Sequence, residues 1–231
     1  MLRLHAVTSR SWLACALGVG LASVVTPVAR AQADVDRALV EARDRAAGGD
    51  AVAQFSLGSI LYYGTAQTAE GLEWFRKAAA QGYAPAEFQL GQVYEAGFGV
   101  TASETQALGW YRRAADHRSA AGQRAVGDFY LKGKGVPADP REALRWFTLA
   151  ANGDDLRAQY QLGQLYFSGE GVPRDYIEAY VWFTIAAGQT PLMDNRKQLI
   201  ELSNITLARM SPAQAAEAKG RVARWSIGAA R

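Results

Sequence analysis

Four tryptophans, Trp74, Trp110, Trp146 and Trp182, stand thirty-six residues apart. The pairs Ala78-Ala79, Ala114-Ala115, Ala150-Ala151 and Ala186-Ala187 keep the same step, as do Tyr94, Tyr130 and Tyr166. Self-similarity at a period of this length means a stack of supersecondary units, and it constrains the fold more than any local motif.

One unit shows what repeats. In residues 122–132 the apolar and small positions Ala125, Val126, Phe129 and Tyr130 form one face of an amphipathic helix. Gly133-Lys134-Gly135-Val136-Pro137 interrupts it with two residues that tolerate positive φ and one that stiffens the exit. A second helix restarts at Asp139-Pro140-Arg141-Glu142, with Asp139 at N-cap, Pro140 at N1 and Glu142 at N3, a capping-box arrangement. Ala143, Trp146, Phe147, Ala150 and Ala151 form its expected buried stripe, and Asn152-Gly153 supplies a left-handed stop. Ser103 with Gln106, and Asp175 with Glu178, take the same cap positions. Gly91, Gly127 and Gly163 lie inside the first helices, where glycine costs about 1 kcal/mol relative to alanine. A partner too close for a Cβ is the expected compensation. Each unit is therefore a helix–loop–helix hairpin that needs stacked neighbours to bury its apolar seam.

The pattern Leu90-Gly91-x-x-Tyr94-x-x-Gly97-x-Gly99-Val100, followed by Ala107-x-x-Trp110-x-x-x-Ala114-Ala115, resembles the Sel1-like repeat, a relative of the tetratricopeptide repeat. Leu162 to Val172 and Ala179 to Ala187 match equally well. The resemblance implies an all-α fold, a right-handed α/α solenoid with helical caps. It gives four repeats, 51–85, 86–121, 122–157 and 158–190. The first departs from the pattern, with Leu61 at the tyrosine position and Gly64 alone left of the glycine loop. Residues 34–50 read as an N-terminal capping helix, and 191–231 as a degenerate fifth repeat or C-terminal cap. In that cap, Leu192 to Ala208 and Ser211 to Trp225 form the first and second helices. Such caps argue for a monomer.

Residues 1–31 read as a cleaved signal peptide. Arg3 and Arg10 precede an apolar run from Trp12 to Val25, and Ala29-Arg30-Ala31 is a small-residue cleavage pattern. The apolar run falls short of the ~18–20 residues of a membrane span. A periplasmic or secreted location follows, with no integral membrane span in the mature chain. Cleavage removes Cys15, Arg3, Arg10 and Arg30 and leaves twenty-two basic residues against twenty-two acidic ones. That balance gives no reason to invoke nucleic acid, and an exported chain without cysteine must stand on packing alone.

Catalytic groupings are scarce. His117 is the single histidine after residue 31, and it reads as a solvated helix-end residue. Gly127 to Gly135 superficially resembles a phosphate loop, but no Ser or Thr follows Lys134. No Ser-x-x-Lys, Ser-Asp-Asn or Lys-Thr-Gly is present, which weighs against the β-lactamase-like activity described for some Sel1-like proteins. The chain reads as no enzyme, with no catalytic residue, cofactor or metal site. The alternative is a β-lactamase-like or cell-wall hydrolase.

What remains is surface. In the related tetratricopeptide repeats the first helices line a concave face that binds extended peptides. The resemblance places Phe55, Phe88, Arg124 and Tyr160, three before each helix glycine, and Ser59, Gln92, Asp128 and Gln164, one after it, on that face. Rings would take peptide side chains and amides its backbone, although the same rings could instead pack between units. Lys219, Arg221 and Arg224 give the last helix a basic face, read as a solvated cap. The expected function is a non-enzymatic exported scaffold that binds a protein or peptide, possible roles being an envelope signalling, secretion or polysaccharide complex.

Overall fold

Polar caps and glycine stops divide the chain into helices. The computed structural model describes residues 37, 39–64, 67–191 and 193–229. The expected signal peptide lies outside them. The chain divides after Leu39, and the second unit, from Val40 on, is compact. Within the second run α1 (residues 40–47), α2 (Ala51–Gly64), α3 (Thr68–Ala80), α4 (Ala84–Ala96), α5 (Glu104–Asp116), α6 (Ala120–Lys132), α7 (Pro140–Asn152), α8 (Leu156–Ser168), α9 (Tyr176–Gln189), α10 (Met193–Leu207) and α11 (Pro212–Ala229). Among the described residues every regular element is a helix, and consecutive helices pack on one another from α2 to α10. The unit is an all-α solenoid.

The caps form as the residue types dictate. Asp139 accepts from the backbone N–H groups of Arg141 and Glu142 at 3.0 and 3.1 Å, and Asp175 does the same for Ile177 and Glu178. Ser103 accepts from Gln106 at 3.3 Å. The reciprocal arm of the capping box is replaced. The N–H groups of Ser103, Asp139 and Asp175 donate to the carbonyls of Tyr94, Tyr130 and Tyr166 at 2.8–2.9 Å. Each loop is thereby tied back to the helix it leaves. Ser211 and Gln214 make both arms, at 3.0 and 3.3 Å.

The second loop glycine has a reason beyond its backbone angle. A Cβ on Gly135 would stand 2.8 Å from the Glu104 carbonyl carbon, and one on Gly171 would stand 2.5 Å from the Pro140 ring. Each glycine loop thus presses on the start of the preceding unit's second helix. The left-handed residue after α7 is Asp154 (φ 61), not Asn152 or Gly153 as the sequence suggests. Arg118 and Gly82 hold the same register earlier.

The buried clusters bridge neighbouring units. The second helix of one unit and the first helix of the next share a cluster: Leu72, Phe75 and Ala79 with Ala86, Leu90 and Val93, then Tyr111 with Val126 and Phe129, then Phe147 with Leu162 and Leu165. The tryptophans correct the expected stripe. They are only partly buried, and Trp110, Trp146 and Trp182 pack on the layer belonging to the preceding unit. The aromatic after each tryptophan is the buried one, and it lies on the helix glycine. A Cβ on Gly58, Gly91, Gly127 or Gly163 would approach Phe75, Tyr111, Phe147 or Phe183 to 2.4–2.7 Å.

A polar latch repeats beside three of the layers. Gln54 donates to the Ala46 carbonyl at 3.2 Å and accepts from Gln81 at 2.8 Å. Gln159 donates to the Ala151 carbonyl at 3.4 Å and to Gln189 at 2.9 Å. Between them the buried Glu87 takes the glutamine register. It cannot donate, and Arg113 instead reaches both Glu87 and the Ala79 carbonyl at 3.1 Å.

The last two helices differ from the expected fifth hairpin. Both α10 and α11 pack on α9, with Arg221 hydrogen-bonded to Glu178 there. The reason is that α10 has no glycine, while α11 carries Ala218 and Lys219 where a tryptophan and a ring would fall. Without a ring seated on a glycine, nothing aligns α11 along α10.

Candidate functional site

The first helices α4, α6 and α8 place their candidate residues side by side. Phe88 and Gln92 of α4 and Arg124 and Asp128 of α6 line one pocket of about 170 Å³, joined by Glu95, Lys132 and Lys134 and by Arg157 at the start of α8. Tyr160 lies in a second pocket of about 530 Å³, between α8 and α10, with Leu156, Arg157, Pro191 and Leu199. Gln164 donates to the Tyr160 hydroxyl at 2.6 Å.

The candidate rings are partly core. Phe55 packs on Phe75 and Tyr83, Phe88 on Tyr111, and Tyr160 on Phe183, with centroids 5.4–6.2 Å apart. Ser59 spends its hydroxyl on the Phe55 carbonyl of its own helix, at 2.9 Å. Gln92 is exposed.

The charges of the first pocket are mostly committed. Arg124 bridges Asp128 at 3.1 Å and Asp155 at 3.2 Å. Burial lifts the Asp128 carboxyl above its ordinary range, with Arg124 opposing. Glu95 accepts from Lys134 and from the Tyr111 hydroxyl, both at 2.8 Å. Burial pushes Glu95 up, but the two hydrogen bonds outweigh it and hold the carboxyl below its usual range. Burial, and then the bond to Glu95, push the Tyr111 hydroxyl far upward. Lys132 and Arg157 are exposed, and neither has a carboxylate oxygen within 4.0 Å among the described residues.

Sequence reasoning missed Lys132 and Arg157, although a signal was present. Lys132 follows Asp128 by four residues and Arg157 precedes Tyr160 by three, so both extend the chosen faces by one helical turn. Two other sequence expectations change. His117 is not merely solvated, because its Nδ1 lies 2.7 Å from buried Glu87. Arg221 of the basic face is engaged by Glu178, whereas Lys219 and Arg224 are exposed. No described helix is long and apolar enough to cross a membrane.

Comparison with known proteins fits this geometry. The Sel1 repeat model matches residues 51–83, 84–119, 120–155 and 156–190, each a first helix, its loop and a second helix. No curated protein matches. Among solved structures, a Sel1 repeat protein from Oxalobacter formigenes is 30% identical, with a TM-score of 0.68, over 81% of this chain and 78% of that one. The protective antigen c5321 of uropathogenic Escherichia coli strains, which displays an SLR fold, is 30% identical with a TM-score of 0.52, over 81% of this chain and 48% of that one. A Sel1 repeat protein of Klebsiella pneumoniae subsp. pneumoniae shares the fold at 20% identity and a TM-score of 0.51, over 81% of this chain and 99% of that one. With four consecutive repeats matched and each seen as a glycine-seated hairpin, the chain belongs to the Sel1 repeat family.

Proposed function

We propose that this protein is an exported, non-enzymatic scaffold that binds an extended segment of a protein partner along the face of α4, α6 and α8. One observation carries the reading. Phe88, Gln92, Arg124 and Asp128, from successive first helices, converge on a single pocket. A ring, an amide and paired charges in one concave site suit a polypeptide, whose side chains and backbone need both kinds of contact. The basic, apolar, small-residue pattern of residues 1–31 supports export to the periplasm or beyond. An envelope signalling, secretion or polysaccharide complex is the setting that fits such a scaffold. The atypical end helices favour a monomer.

Photo-crosslinking tests this reading. A photoreactive residue at Gln92 captures a discrete partner from envelope extracts, whereas one at Arg145 on α7, 79% exposed, does not. Equal labelling at both positions removes the case for this face. The alternative of a β-lactam or cell-wall hydrolase gains no support from any grouping among the described residues. Turnover of a chromogenic β-lactam, lost on a point mutation, would restore it.

A further inference from the structure

We infer that the partner segment carries an acidic side chain for the first pocket and a large apolar side chain for the second, three to six residues apart. This rests on the proposed first-helix binding face and deepens it.

The acid preference follows from which charges are already satisfied. Glu95 is held by Lys134 and Tyr111, and Asp128 by Arg124, which also holds Asp155. Glu95 thus has its own cation, while Asp128 and Asp155 share one, and with Lys132 and Arg157 four cations stand against three carboxylates. Lys132 and Arg157 line the same pocket with no carboxylate oxygen within 4.0 Å among the described residues, although Lys132 lies near enough to Glu95 and Asp128 to favour their charged forms. A bound carboxylate is the group that completes the set, because like charge would be repelled and an apolar group would leave two cations facing it.

The apolar position follows from the second pocket. Leu156, Tyr160, Pro191 and Leu199 supply its apolar walls, and its volume of about 530 Å³ exceeds the first pocket's 170 Å³. Arg157 lines both, so the pockets adjoin. A chain that fills one runs into the other. This places the acid on a side chain inside the segment rather than at a chain end. The pockets lie about one to two helix spacings of ~8–10 Å apart, which an extended chain crosses in about three to six residues.

The test is selection of random peptides, displayed with their C-termini fused to the coat protein, on the intact protein. The selected peptides share Asp or Glu and a large apolar residue about three to six positions away. The Lys132→Glu/Arg157→Glu variant weakens them by about tenfold or more and, on reselection, favours Lys or Arg at the acidic position. Both side chains are exposed, and circular dichroism confirms that the variant is folded. Selected peptides without an acidic position overturn this inference and leave the binding face intact. Binding only by synthetic peptides with a free C-terminus overturns the side-chain assignment. Failure to select any peptide overturns both the inference and the peptide-binding reading beneath it.

Discussion

His117 Nδ1 stands 2.7 Å from Oε2 of Glu87, a side chain with no exposed surface, in the register that Gln81 and Gln54 occupy one unit earlier. Gln189 and Gln159 hold that register two units later. The glutamine pairs bridge first helix, second helix and a carbonyl without charge. The Glu87 version needs Arg113 to reach the Ala79 carbonyl in its place.

This predicts a graded response at Glu87. Glu87→Ala leaves a buried gap and strands Arg113 and His117, costing about 1–3 kcal/mol. Both partners are half exposed and regain water, so the loss stays below that of a fully buried pair. Glu87→Gln with His117→Gln recreates the neighbouring units' latch and costs less than about 1 kcal/mol. Urea unfolding measures both. Equal losses would show that the latch register is not a shared design.

Two glycines in neighbouring helices respond in opposite directions. A Cβ on Gly91 would lie 2.4 Å from Tyr111 Cε1, and that ring cannot retreat because it is 2% exposed and bonded to Glu95. Gly91→Ala therefore destabilises by about 1–3 kcal/mol through overpacking. Gly109, inside α5, has nothing within 4 Å of its Cβ position. Gly109→Ala gains about 0.5–1 kcal/mol from helix propensity. Thermal denaturation of the two variants gives Tm shifts of opposite sign.

The period, the hairpin units and the side-chain caps are legible in the sequence because each is local or repeats at fixed spacing. Asp139, Asp155 and Asp175 announce helix starts whatever lies above them. Which aromatic is core is not legible. Trp146 and Phe147 both follow the period, and adjacent helix positions differ by about 100° in direction. Only the neighbouring unit decides that Phe147 faces Gly127. The end of the array is ambiguous for a related reason. Ser211-Pro212-Ala213-Gln214 carries a good helix start, yet a cap says nothing about which helix the new one lies on. At the candidate site, Phe88, Gln92, Arg124 and Asp128 follow from one register rule. Lys132 and Arg157 lie one helical turn along the same faces, but that neither makes a close ion pair is not legible, because ion pairing across three helices leaves no mark in any one of them.

The two pocket carboxylates pull acid stability in opposite directions. Glu95 is held below its usual 4.5, so the folded state binds its proton less readily than the unfolded state does. Its contribution is present above about pH 4.5 and is lost as pH falls through the lower folded value. Asp128 is raised above 3.8 by burial, so its contribution is present below that value and lost as pH rises through the higher folded value. Glu95→Gln therefore flattens the rise of stability with pH between about pH 3 and 5, and Asp128→Asn steepens it. Unfolding midpoints across that range check both signs, and a shared direction would contradict the pairing of Glu95 with Lys134 and Tyr111.

Arg124 and Asp155 join a helix cap to the candidate pocket, and their variants separate stability from binding. Asp155 caps α8 by accepting from the Ala158 N–H at 2.8 Å and also pairs with Arg124 at 3.2 Å. Asp155→Asn keeps an oxygen for the cap and loses the ion pair, whereas Asp155→Ala loses both. The alanine variant is less stable than the asparagine variant by about 1 kcal/mol, the usual worth of an N-cap. Arg124→Ala leaves Asp128 and Asp155 facing each other without their shared cation, at a cost of about 1–3 kcal/mol, since only 16% of the arginine side chain is exposed. A double-mutant cycle between Arg124→Ala and Asp155→Asn shows coupling of about 0.5–2 kcal/mol. Because Arg124 is spent on these two carboxylates, its loss lowers stability, while Lys132→Ala lowers affinity for an acidic peptide at unchanged stability. Denaturation and peptide binding measured on the same proteins give that crossing pattern. An affinity loss confined to Arg124→Ala would make the arginine, not the lysine, the cation that meets the ligand.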